Sequence, residues 1–171
     1  MFMVVTGGSG SGKSAFAEEQ IVSLGGNSRI YIATMIPFGE ESQCRIDRHR
    51  KMRQGKGFVT AECYTGLSGL AVPEGSDVLL ECMSNLTANE MFQPDGAGEN
   101  TVSEVLLGIQ NLRKQCRNLI VVTNEIFSDA CPYEEETREY QKYLGEINQA
   151  MARAADQVVE VVYGIPVYQK K

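Results

Sequence analysis

Apolar residues in this chain gather in short runs of strand length, at positions 3–6, 29–33, 58–61, 78–81, 119–123 and 158–162. Between several of them the apolar positions recur every three or four residues instead. Residues 100–116 carry Val102, Val105, Leu106, Ile109 and Leu112, a spacing close to the 3.6 of a helix. Residues 134–155 carry Tyr140, Tyr143, Leu144, Ile147, Met151 and Ala155 on one helical face. The acidic start Glu134-Glu135-Glu136 suits the positive end of that helix's dipole. Leu119-Ile120-Val121-Val122 is apolar without alternation, as expected of a strand covered on both faces of a parallel sheet. Strands alternating with helices predict an α/β fold: an open, mostly parallel sheet flanked by helices, with ligands at the carboxyl ends of the strands. Two connectors stand out, a turn-rich one at 36–42 and a polar, glycine-rich one at 93–100.

The first strand leads directly into Gly7-Gly8-Ser9-Gly10-Ser11-Gly12-Lys13-Ser14, and a helical pattern follows over 14–21. This fits G-x-x-x-x-G-K-[ST] in its confirming context of strand, loop and helix. Glycines let the backbone wrap a phosphate chain, and the helix N-terminus aims unpaired N–H groups at the anion. Lys13 is expected at the β/γ-phosphates and the Ser14 hydroxyl at Mg²⁺. The fold class is therefore that of P-loop NTPases, and a nucleoside triphosphate is the expected ligand.

Length and composition narrow the picture. A chain of 171 residues predicts one domain, taken as residues 1–171. A formal net charge of −6 argues against a nucleic-acid surface. The five cysteines, Cys44, Cys63, Cys82, Cys116 and Cys131, form no C-x-x-C pair and read as small apolar residues in a reducing cytoplasm. No run approaches the roughly 20 apolar residues that span a bilayer, and no secretion signal is evident.

Other polar residues fall at strand ends. Glu81 closes Asp77-Val78-Leu79-Leu80-Glu81 and is the candidate second Mg²⁺ ligand, although Asp is commoner there. Glu125 ends Val122-Thr123-Asn124-Glu125; it is a candidate base or substrate contact, or equally a cap for the next segment. Thr34 and Glu62 follow two further strands and read as nucleotide contacts or as mere strand termini. His49, the only histidine, lies in the basic stretch Arg45-Ile46-Asp47-Arg48-His49-Arg50-Lys51-Met52-Arg53. On a helix Arg45, His49 and Arg53 share a face. Neighbouring cations favour the neutral, nucleophilic imidazole and could clamp phosphate oxygens. From composition alone the simpler reading is a solvated basic helix face with one incidental histidine.

The assembled pattern goes further. Val5-Thr6-Gly7-Gly8, Ser11-Gly12-Lys13-Ser14, Tyr31-Ile32-Ala33-Thr34, Arg45-Ile46 with His49, Thr60-Ala61-Glu62, Leu79-Leu80-Glu81-Cys82, Val122-Thr123-Asn124-Glu125, Asn148-Gln149 and Ala155-Asp156 occur in that order. The chain thereby resembles the adenosylcobinamide kinase/adenosylcobinamide-phosphate guanylyltransferase family of cobalamin biosynthesis. The resemblance implies a two-step enzyme. It phosphorylates the hydroxyl of adenosylcobinamide with ATP or GTP, then transfers GMP from GTP through a covalent histidine–GMP intermediate. His49 would be that histidine, and Lys13 would serve catalysis beside it. Gly7, Gly8, Ser9, Gly10, Ser11, Gly12, Lys13 and Ser14 would hold phosphates. Thr34, Arg50, Lys51, Met52, Arg53, Glu62 and Glu81 would line the guanylyl-transfer site. A homotrimer is implied too. The family pattern is departed from at 126–132, which lacks the usual glycines, and at Tyr140-Gln141-Lys142. The rival expectations are a P-loop kinase of another small molecule and a nucleotide-dependent switch.

Overall fold

The apolar runs pair into one seven-stranded sheet in the computed structural model, which describes residues 1–126 and 135–171. The strands are β1 (Phe2–Thr6), β2 (Arg29–Ala33), β3 (Phe58–Glu62), β4 (Asp77–Glu81), β5 (Asn118–Val122), β6 (Gln157–Val162) and β7 (Ile165–Lys170), and the helices are α1 (Lys13–Ser23), α2 (Gly39–Arg53), α3 (Met83–Phe92), α4 (Thr101–Gln115) and α5 (Glu135–Ala154). The strand order is β3-β2-β4-β5-β1-β6-β7. Every neighbouring pair is parallel except β6 with β7. The expected open, mostly parallel sheet is therefore present.

Successive residues of a strand point to opposite faces, so the continuous runs feed two cores. Val4, Ile32, Leu80 and Val121 pack beneath Met83 and Leu86 of α3, Val105 and Leu112 of α4, and Leu144 and Ile147 of α5. Met3, Val5, Tyr31, Leu79, Ile120 and Val122 face the other way, against Ala17 and Ile21 of α1. At the end of the sheet away from the site, fully buried Asp77 accepts hydrogen bonds from Arg117 Nε and Nη2, at 3.1 and 2.8 Å, and from Asn118 Nδ2, at 2.8 Å.

Some boundaries differ from expectation. α2 begins at Gly39, so the turn-rich connector ends earlier than its composition suggests; Glu40 and Glu41 occupy the first turn, where the helix dipole favours acids. β5 ends at Val122, leaving Thr123 beyond the strand. α3 and β7 carry no clear pattern in the sequence. Cys131, Glu134 and most of the departure at 126–132 lie outside the described residues. Among the described residues no helix is long and apolar enough to cross a membrane.

Candidate active site

β1, β4 and β5 deliver Gly7, Glu81 and Asn124 to one end of the sheet, and the loop after β1 turns there into α1. Two glycines have definite reasons. Gly12 caps α1 in the left-handed region at φ 93°, which costs other residues about 1–2 kcal/mol. A side chain on Gly7 would place its Cβ 2.5 Å from the Val161 carbonyl oxygen. The turn between β6 and β7 braces this loop, since the Gly164 amide donates to the Ser11 carbonyl at 2.8 Å.

Lys13 begins α1, is buried, and donates from Nζ to the Gly8 carbonyl at 3.0 Å. Burial lowers its pKa, while the charges of Cys82 and Glu81 oppose the shift. Ser14 Oγ donates to Glu81 Oε1, so the two expected Mg²⁺ ligands touch. A hydroxyl and a carboxylate are the hard oxygen donors Mg²⁺ takes, and the pair fits the ion. Tyr31 Oη donates to the other oxygen, Glu81 Oε2, at 3.0 Å. Burial and the Glu81 charge push the Tyr31 pKa far up, so it stays a donor. The Arg53 guanidinium lies 3.4 Å above the Tyr31 ring centroid, a cation–π contact at the last residue of α2.

That contact ties α2 to β2 beside the Ser14–Glu81 pair. His49 Nδ1 lies 3.5 Å from Glu81 Oε1, without hydrogen-bond alignment. Beyond α2, Lys56 Nζ pairs at 2.7 Å with Glu18, a fully buried carboxylate on α1. Glu18, His49 and Glu81 each place one potential metal-ligating atom within 4.8 Å of the others. Arg50 is 3.7 Å from Asp47 and 3.9 Å from Glu62, both in partly exposed ion pairs.

These groups surround a cavity of about 960 Å³, at the upper end of ordinary ligand pockets. Of the expected site residues, Ser9 through Ser14, Thr34, His49, Arg50, Met52, Arg53, Glu62, Glu81 and Glu125 line it; Gly7, Gly8 and Lys51 do not. Thr34 is engaged elsewhere: its fully buried hydroxyl donates to the Cys82 carbonyl at 2.9 Å and accepts from the Cys82 amide at 2.8 Å. Other matching residues build the frame. Thr123 Oγ1 donates to Asn148 Oδ1 at 2.9 Å, Asn124 Nδ2 to Ser84 Oγ at 2.6 Å, and the Phe2 amide to Asp156 Oδ2 at 2.7 Å. From α5, Tyr140 closes one wall and donates to the Ser84 carbonyl at 3.1 Å.

Sequence reasoning did not single out Tyr31, Glu18 or Lys56. For Glu18 a signal existed. It stands four residues after Ser14 and between Ala17 and Ile21, so it is a carboxylate on the buried side of a helix.

Comparison with known proteins identifies the family. Residues 3–168 match the family model described as cobinamide kinase / cobinamide phosphate guanyltransferase. The chain is 32% identical, over 98% of each chain, to the bifunctional adenosylcobalamin biosynthesis protein CobU of Salmonella typhimurium. It shares 32% identity with the Escherichia coli protein of that name, again over 98% of each chain. Among solved structures, the flagellar accessory protein FlaH from Methanocaldococcus jannaschii is alike in fold alone, with TM-score 0.52, 12% identity, and coverage of 99% of this chain and 77% of that one.

Proposed function

Since the chain belongs to the cobinamide kinase / cobinamide phosphate guanyltransferase family, we propose that His49 is the residue that takes GMP from GTP. The enzyme serves cobalamin biosynthesis, with nucleotide and cobinamide as substrates. The observation that carries the proposal is the approach of α2 to the Ser14–Glu81 pair, where His49 Nδ1 stands 3.5 Å from Glu81 Oε1.

In the first reaction the cobinamide hydroxyl attacks the γ-phosphorus of ATP or GTP, and the nucleoside diphosphate leaves. Glu125, at the cavity wall, is a candidate to accept the hydroxyl proton. In the second reaction an imidazole nitrogen of His49 attacks the α-phosphorus of GTP. A P–N bond forms, the bond to the bridging oxygen breaks, and pyrophosphate leaves. The phosphate oxygen of adenosylcobinamide phosphate then displaces the imidazole, giving adenosylcobinamide-GDP. Splitting the transfer this way replaces one difficult step by two easier ones. The loop amides and Lys13 hold phosphate oxygens in both reactions, and Arg50 and Arg53 add positive charge at the α2 side. Mg²⁺, held at Ser14 and Glu81, would neutralise charge on the leaving phosphates.

The same reading takes residues 1–171 as one transferase domain, supported by the single sheet. It makes the protein cytoplasmic, on the reading of its cysteines, and a homotrimer, on the strength of the resemblance alone. Incubation with GTP labelled at the α-phosphate tests the nucleophile. Wild-type protein should take up acid-labile label, and His49→Ala should take up none. Folded wild-type protein that binds GTP without ever becoming labelled would refute the proposal.

A further inference from the structure

Among the described residues, four enclosed polar atoms around this site have no hydrogen-bond partner: Ser11 Oγ, Glu18 Oε1, His49 Nδ1 and Arg53 Nη1. Glu18 is fully buried one turn along α1 from Ser14. Its Oε2 is taken by Lys56 Nζ at 2.7 Å, but its Oε1 meets no donor. A buried carboxylate oxygen without a donor is costly. His49 Nδ1 is likewise enclosed and without a hydrogen-bond partner. A carboxylate oxygen of Glu18 and a ring nitrogen of His49 lie within 4.8 Å of each other, so the two must draw closer to share a hydrogen bond.

Glu81 is the competing acceptor, but each of its oxygens already takes one donor, whereas Glu18 Oε1 takes none. Its Oε1 takes the Ser14 hydroxyl and its Oε2 the Tyr31 hydroxyl. Its 3.5 Å approach to Nδ1 is poorly aligned. Glu18 Oε1 has no such commitments, and the Lys56 pair holds the carboxylate in place from its far side.

We propose that Glu18 is the positioning residue for His49: its Oε1 accepts a hydrogen bond from Nδ1–H and leaves Nε2 as the bare nitrogen that attacks phosphorus. The proposal rests on His49 being the nucleophile. The Nε2 lone pair forms the P–N bond as pyrophosphate departs with the electrons of the broken P–O bond. The ring becomes cationic with its Nδ1 proton in place, and the Glu18 charge faces it. When the acceptor phosphate attacks, the P–N electrons return to Nε2. No proton moves in either half, so a fixed tautomer is what the cycle requires.

His49 is the only histidine, so a ¹⁵N-imidazole spectrum of the full chain contains one ring and reports its tautomer directly. In the wild type Nδ1 should carry the proton and Nε2 should be bare. Glu18→Leu combined with Lys56→Met removes the acceptor without leaving a buried charge unpaired. It should shift the ring toward Nε2–H and slow GMP uptake at least about tenfold, with little change in KM for GTP. Glu18→Asp should restore part of the rate. A wild-type ring protonated on Nε2 would overturn the proposal. So would a double variant that guanylylates at the wild-type rate, or a tautomer lost in Glu81→Gln but kept without Glu18. If the double variant does not fold, the tautomer in Glu18→Gln read against that in Glu81→Gln decides, and an unchanged tautomer in Glu18→Gln overturns the proposal. A ring whose tautomer depends on Glu18 but that never takes up GMP refutes the nucleophile instead, and leaves the Glu18 contact standing.

Discussion

At the scale of single residues, burial sets what each group can do. Cys63 shows this away from the reaction. Burial, and secondarily Glu90, push its thiol pKa up to about 11 from 9.0. The folded protein therefore keeps a proton that the unfolded chain releases above pH 9. Stability from this group is complete below pH 9 and falls as pH rises through 11, by up to ~1.4 kcal/mol per pH unit. Denaturant midpoints between pH 9 and 11 should fall less steeply for Cys63→Ala than for wild type. Equal slopes would remove Cys63 as a cause. The sequence shows such residues unevenly. His49 is singular as the only histidine, yet only its family context lifts it above a basic helix face. Thr34 ends a strand like a ligand contact, but its hydroxyl serves the Cys82 backbone. Lys56 has no legible role, because its partner Glu18 is 38 residues away.

At the scale of elements, the parallel strands were legible because burial on both faces makes apolar runs. α4 and α5 were legible because one apolar face gives a helical period. α3 was not, since its buried side mixes Met83 and Leu86 with Ser84, Thr87 and Glu90. Those polar residues find partners inside, as when Glu90 accepts from the Gly66 and Ala97 amides at 2.7 and 3.0 Å. β7 was missed for the opposite reason, as all six of its residues are exposed and leave no burial pattern. Its turn nevertheless supports the site. Gly164→Pro removes the amide that braces Ser11 and cannot reach the native φ of 78°. GTP affinity should fall severalfold while the far-ultraviolet dichroism of the sheet is unchanged. Unaltered affinity would mean the phosphate loop needs no brace from that turn.

At the scale of the whole molecule, the sheet ends unevenly. β7 closes one edge and leaves Tyr163, Ile165, Val167 and Tyr168 exposed together. An apolar edge strand invites pairing with another chain unless something covers it. The trimer expected from the resemblance would supply a cover. Sedimentation equilibrium should give three chains per particle, and Ile165→Lys with Val167→Lys should lower that mass. A monodisperse monomer at high protein concentration would count against the trimer. No sequence pattern locates such a contact, because an interface strand and a solvated one carry the same exposed residues in a single chain.

The bond between Gly164 and Ser11 joins these scales. If subunits meet along β7, the strand that senses a neighbour is one turn from the loop that senses phosphate. Whatever steadies one steadies the other, and the linkage runs equally in both directions. Dilution would then weaken nucleotide affinity, and nucleotide would draw dispersed chains together.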